Sequence, residues 1–173
     1  MQKPEATEYA PYYQRYIDLI NADDIFSFFK LQAEEIVSLF KNISEENAAF
    51  RYAEGKWMMK EVLAHIVDSE RIFGYRVLAI SRGEKNPLPG FSADDYVSNG
   101  KYQNRNLQSL LNEYAHLSSA NLELFKTLDE EMLSQKGIAS EKEITARAII
   151  FVTIGHERHH LDIVKTRYLK KEE

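Results

Sequence analysis

The sequence contains no cysteine. That absence excludes a disulfide framework, a thiolate zinc site and a cysteine nucleophile, so any metal must be held by imidazole or carboxylate. Long apolar runs are missing as well. No stretch approaches the roughly 18 to 20 apolar residues that a spanning helix needs, and no apolar run follows Met1-Gln2-Lys3-Pro4-Glu5 at the amino terminus. No membrane span and no secretory signal are therefore expected, and a cytoplasmic protein is the natural reading. Concentrated positive charge is the third absence, because the net charge is −5 and lysine and arginine are scattered along the chain. Neutralising phosphates or an anionic bilayer takes a clustered basic surface, so neither nucleic acid nor membrane is expected as a partner.

What is present is the composition of a globular protein: 173 residues, 44% hydrophobic and 28% charged. Such a chain is long enough to bury a core without staples and fits one domain over residues 1–173, with 1–22 as an N-terminal extension. Four segments place apolar residues at helical spacing, separated by stretches richer in glycine, proline, asparagine and serine. The first begins after Asp23 or Asp24, either of which can cap it, and aligns Ile25, Phe28, Phe29, Ile36, Leu39 and Phe40 on one side. A shorter, tyrosine-rich helical piece over 9–20 precedes it. The second runs over 57–81, where Arg82-Gly83 supplies an ending, the third over 107–128 and the fourth over 143–169. Residues 84–106, with Pro87, Pro89, Gly90 and Gly100, are too long for a tight hairpin between neighbouring helices. The expected fold is all-α: a four-helix bundle with a long crossover between the second and third helices.

The histidines carry the chemistry. His156 and His160 are four residues apart, a rotation of only about 40° on a helix, and they fall within the stripe of Ile149, Val152, Ile163 and Val164. Two adjacent buried imidazoles need a reason: protonated they repel, and neutral each must satisfy two ring nitrogens. A lone inward histidine is usually a hydrogen-bonded core residue; an i, i+4 pair amid apolar neighbours favours a metal. His65, near the edge of the second helix's stripe, means little alone but completes a three-histidine set from two helices. Three protein ligands leave coordination positions open to substrate. His159 is offset to the side of its helix, and His116 reads as solvent-facing.

Residues 156–160 also match the metalloprotease pattern H-E-x-x-H, in which the glutamate activates water. The longer form of that motif needs glycine at 163 and histidine at 166, where this chain has Ile163 and Thr166. A downstream acidic ligand is limited to a short tail ending in Glu172 and Glu173, so a peptidase is disfavoured. Glu157 stays a catalytic candidate as a proton acceptor.

Gly55-Lys56-Trp57 leading into Lys60-Glu61-Val62-Leu63-Ala64-His65, then Asn86-Pro87-Leu88-Pro89-Gly90-Phe91, then Gly155-His156-Glu157-Arg158-His159-His160 together resemble the DinB/YfiT-like superfamily of metal-dependent enzymes. The resemblance runs from the first helix to Leu169. It implies a four-helix bundle whose histidine triad, here His65, His156 and His160, binds nickel, zinc or a related divalent transition ion, usually in a homodimer. Characterised relatives include transferases and isomerases that use low-molecular-weight thiols such as bacillithiol, mycothiol or glutathione. The family name refers to DNA-damage induction and implies no DNA binding.

The expected function is metal-dependent chemistry on a small molecule, with transfer of a low-molecular-weight thiol as the leading form. The ion would keep that thiol ionised at neutral pH. The alternatives are a metal-dependent hydrolase, in which the ion lowers the pKa of water, and a non-catalytic metal-binding protein. Asp68, one turn beyond His65, joins Glu157 as a supporting candidate. Trp57 and the tyrosine-rich start read as packing residues.

Overall fold

A computed structural model describes residues 1–169; the acidic tail residues Glu172 and Glu173 lie outside the described residues. Four long helices carry the fold: α1 (Ile25–Lys41), α2 (Met59–Ser81), α3 (Leu107–Lys126) and α4 (Ala146–Ile163). Asp24 caps α1 by accepting hydrogen bonds from the Phe26 and Ser27 amides, Asn106 caps α3 and Thr145 caps α4, each supplying an acceptor for amides that a helix leaves unpaired. Gly83, at φ +84°, supplies the left-handed step that closes α2.

Helix α2 packs mainly against α4 on one side and α3 on the other, and α1 packs mainly against α3. Helices α1 and α2 are thus diagonal to one another although consecutive in sequence. The long connection between α2 and α3 holds a helix of its own, Ala93–Gly100, and the buried Lys60 ammonium ties its end to α2 by donating to the Gln103 and Arg105 carbonyls. Among the described residues, no helix is long and apolar enough to cross a membrane.

Two features of the fold shape the site, the first of them a departure from the sequence reading. The fourth helix was expected to start at residue 143, but 136–145 form a hairpin of β1 (Lys136–Ala139) and β2 (Lys142–Thr145), paired antiparallel. Its two-residue turn, Ser140-Glu141, has φ of +51° and +63°, the geometry usually announced by Asn-Gly. Without those residues the turn left no signal. Leu88 of the crossover adds to this hairpin, its amide donating to the Ile138 carbonyl at 2.8 Å and its carbonyl accepting from Ser140 at 3.1 Å.

The second is the N-terminal extension, which lays Tyr9, Tyr16, Ile17 and Ile20 into the core and packs the short helix Gln14–Ile17 across α4. As a result every residue of α4 from Ala146 to Glu157 is buried. At the far end, the chain continues from α4 into a π-helical turn, Val164–Tyr168, and the Tyr168 hydroxyl donates to the Trp57 carbonyl at 2.7 Å, holding the entrance of α2.

Gly155 is what lets the extension come so close. A Cβ at that position would stand 2.1 Å from the Tyr16 carbonyl oxygen, a backbone atom that cannot turn aside. Gly155→Ala should therefore destabilise by about 1–3 kcal/mol through overpacking, seen as a Tm lower by roughly 2–10 °C for a chain of this size. A thermal melt with an unchanged midpoint would contradict this packing.

Candidate metal centre

Helices α2 and α4 run past each other so that the first turns of α2 lie beside the last turns of α4. His65 comes from the former, His156 and His160 from the latter. The Nε2 atom of His156 lies 3.1 Å from Nε2 of His65 and 3.1 Å from Nε2 of His160, and all three ligand atoms fall within 4.8 Å of one another. An ion held at about 2.0–2.1 Å sets its donor atoms about 3.0 Å apart at octahedral angles and about 3.3 Å apart at tetrahedral ones. The two 3.1 Å spacings about His156 lie between these values.

The protonation state fits too. Burial holds the His65 imidazole down to about 4, against the attraction of Asp94. Burial, followed by the neighbouring imidazoles, holds His156 and His160 well below the ordinary histidine range. Neutral imidazole is the ligating form. Three neutral rings meeting through Nε2 cannot satisfy each other, since the central His156 nitrogen can be donor or acceptor but not both. The Nδ1 atom of His65 is also buried without a hydrogen-bond partner. A cation among the three Nε2 lone pairs would remove the conflict at His156 and fix the proton of each ring on Nδ1.

The triad forms part of the wall of a cleft of about 640 Å³. Tyr13 and Tyr16 of the extension, Trp57 before α2, Phe73 of α2 and Phe91 of the crossover supply its aromatic walls. The Trp57 ring centroid is 4.9 Å from that of His65, the Phe73 centroid 5.6 Å and the Tyr16 centroid 5.4 Å from that of His156. Trp57 and the tyrosines were read from sequence as packing residues, and they do pack, but they also line the cleft. His159 borders it as well, its ring 5.6 Å from Tyr16, whereas His116 is exposed as expected. Arg76 was missed entirely. Its signal was a charged residue within the buried face of Phe73, Val77 and Ile80.

Glu157 is not brought to the triad. One residue past His156, it is turned by about 100° and points into the bundle, where its carboxylate accepts from Gln32 of α1 at 3.3 Å and from Tyr114 of α3 at 3.1 Å. The spacing that aligned His156 with His160 turned Glu157 away from both. It belongs to a polar layer with Glu70 of α2 and Asn121 of α3, whose amide donates to Glu70 at 3.2 Å. This layer separates two apolar clusters, one around Phe29, Phe73, Phe125 and Ile150, the other around Ile36, Leu63, Leu110 and Leu161. Asp68 is likewise outside the cleft, accepting from the Tyr102 hydroxyl.

Within the layer, burial pushes the Glu157 carboxyl up to about 7, and burial together with Glu157 pushes Glu70 well above the usual carboxylate range. Both values are raised over those of the unfolded chain, so the stability the two carboxyls contribute is complete below about pH 4.5 and is lost as pH rises through about 7. Glu70→Gln removes one of the two competing charges. In urea titrations of metal-free protein between pH 6.5 and 8.5, the histidine contribution is common to parent and variant, so stability should change less favourably with rising pH in the parent than in Glu70→Gln. Equal pH slopes would contradict the shared burial of these groups.

The model of the DinB superfamily matches residues 29–164. YfiT from Bacillus subtilis, described as a probable metal-dependent hydrolase with an unusual four-helix bundle topology, superposes with a TM-score of 0.71 at 14% identity over 95% of this chain and 90% of that one. A mycothiol-dependent maleylpyruvate isomerase superposes with a TM-score of 0.65 at 14% identity over 84% of this chain, which spans 62% of the isomerase. Among curated protein sequences none matches. At such identities the two structures speak for the fold alone, but the family model spans all four helices, and the chain belongs to the DinB superfamily.

Proposed function

We propose that this protein is a metal-dependent enzyme acting on a small molecule, with His65, His156 and His160 holding one divalent transition-metal ion, nickel or zinc. The observation that carries the reading is the meeting of three Nε2 atoms, from the buried His65 and His156 and the half-buried His160, in the wall of a roomy aromatic cleft. Three protein donors leave coordination positions facing that cleft, as a catalytic site requires. Dimerisation, which rests on the family resemblance, and a cytoplasmic place of work, which rests on the sequence reading, belong to the same proposal.

Between the two chemistries, the placement of Glu157 favours thiol transfer. Hydrolysis in the manner of H-E-x-x-H enzymes needs a carboxylate beside the ion to take a proton from water, and the carboxylate of Glu157 is committed to Gln32 and Tyr114 inside the bundle. A low-molecular-weight thiol brings its own nucleophile. The ion, when bound, supplies the positive charge that keeps sulfur as thiolate at neutral pH. The chain's part is then to hold the ion with three rings, to wall the thiol and its electrophile with Tyr16, Trp57 and Phe73, and to exclude water from that side. The hydrolase reading keeps its support from YfiT, whose description names that activity.

Elemental analysis of untagged protein should find one divalent ion per chain. Because loss of groups that merely orient ligands already costs 10–100-fold in affinity, His65→Ala, His156→Ala and His160→Ala should each cost roughly a hundredfold or more. Parent-like metal content in all three variants would end the proposal. Metal-loaded protein should conjugate bacillithiol, mycothiol or glutathione to an electrophile; metal-dependent turnover without thiol would transfer the assignment to hydrolysis.

A further inference from the structure

The cleft beside the triad contains a buried cation with no counter-charge. Arg76 of α2 is only 3% exposed, yet among the described residues no carboxylate forms an ion pair with it. Its two protein hydrogen bonds both leave from Nη2, to the Pro89 carbonyl at 2.6 Å and to Ser140 Oγ at 2.9 Å. Those bonds fasten it between the crossover and the hairpin turn. Nε and Nη1 have no partner among the described residues, and the side chain lines the cleft.

Leaving a guanidinium desolvated and unpaired is costly, since burying an ion without a partner sacrifices several kcal/mol of hydration. Burial accordingly lowers the Arg76 pKa from its ordinary value, but arginine cannot shed its proton near neutral pH. Neighbouring charges do not relieve it. Arg15 and Lys142 also line the cleft, no aspartate or glutamate does, and the nearby carboxylate of Asp94 accepts from Trp57 Nε1 at 3.1 Å. In a chain of net charge −5, a cleft lined by three cations and no anion is a local reversal of sign. Such a reversal raises the local concentration of anions and directs them inward.

We propose that Arg76 anchors a carboxylate or similar oxyanion of the substrate, so that the small molecule handled at this site is an anion with an apolar or aromatic body. This rests on the reading of the cleft as a substrate site but not on the ion itself. Pro89 and Ser140 hold the guanidinium in place, and the free Nε and Nη1 hydrogens bind the oxyanion. Phe73, with its ring centroid 5.8 Å from the Arg76 Cζ atom, and Phe91 receive the body and direct its far end toward the triad.

The test uses Trp57, the only tryptophan, as a reporter in the wall of the cleft. Its fluorescence is titrated with benzoate, phenylphosphonate and the uncharged benzamide, on metal-free and zinc-loaded full-length chain. Benzoate should bind metal-free protein on the order of tenfold or more tighter than benzamide, as charge-assisted hydrogen bonds require, and sodium chloride should weaken it. The order of benzoate and phenylphosphonate then tells a carboxylate from a phosphoryl head group. Arg76→Gln should lose at least that tenfold, while Arg76→Lys, which keeps the charge, should lose less. Equal affinity for benzoate and benzamide in the parent overturns the proposal whether or not a variant folds, as does unchanged benzoate binding in Arg76→Gln with a parent-like melt. Zinc retained by Arg76→Gln together with lost benzoate binding supports the anchor. If zinc fails to bind the parent while benzoate still depends on Arg76, the metal reading falls and the anchor stands.

Discussion

Much of this structure follows from one constraint: three imidazoles, largely shielded from water by burial, are pointed at a common centre. That burial requires that α4 be covered on every side. The bundle alone would leave its outer face open. The N-terminal extension closes that face, and Gly155 permits the close approach of the Tyr16 backbone. The same extension then contributes cleft wall through Tyr13 and Tyr16. Covering the helix and building the cleft are therefore one structural act.

The polar layer across the bundle is the second consequence of how α4 is placed. Glu157 and Glu70 meet among Gln32, Tyr114 and Asn121, with Gln32 Oε1, Ser69 Oγ, Glu70 Oε2 and Glu157 Oε1 buried without partners. Such groups cost more than apolar replacements would. They interrupt an otherwise continuous core directly behind His156, where all four helices supply side chains. A misregistered helix would strand a carboxyl in hydrocarbon, so the layer penalises alternative packings. In this way it helps hold His156 at the height of His65.

Much of the site was legible in the sequence because helical geometry is regular. The spacing of His156 and His160 and the apolar stripe around them sufficed to point both inward, and the bundle and its crossover followed from four periodic segments and one long interval rich in proline and glycine. The same regularity could have placed Glu157 away from the triad, since adjacent residues on a helix do not share a face. What could not be read depends on contacts distant in sequence. The Ser140-Glu141 turn carries no glycine or asparagine to announce it. Covering of α4 by residues 9–20 depends on a glycine that looks ordinary in its own helix. Arg76 looks like any charged residue until the crossover and the hairpin close over it.

The most direct measurement is X-ray absorption spectroscopy at the metal edge of zinc- or nickel-loaded protein. Three imidazole ligands should appear as nitrogen scatterers at about 2.0–2.1 Å, with the outer-shell pattern of histidine rings, reduced by one ring in His65→Ala. A spectrum without imidazole scattering, or one identical in the variant, would contradict the centre on which this account rests.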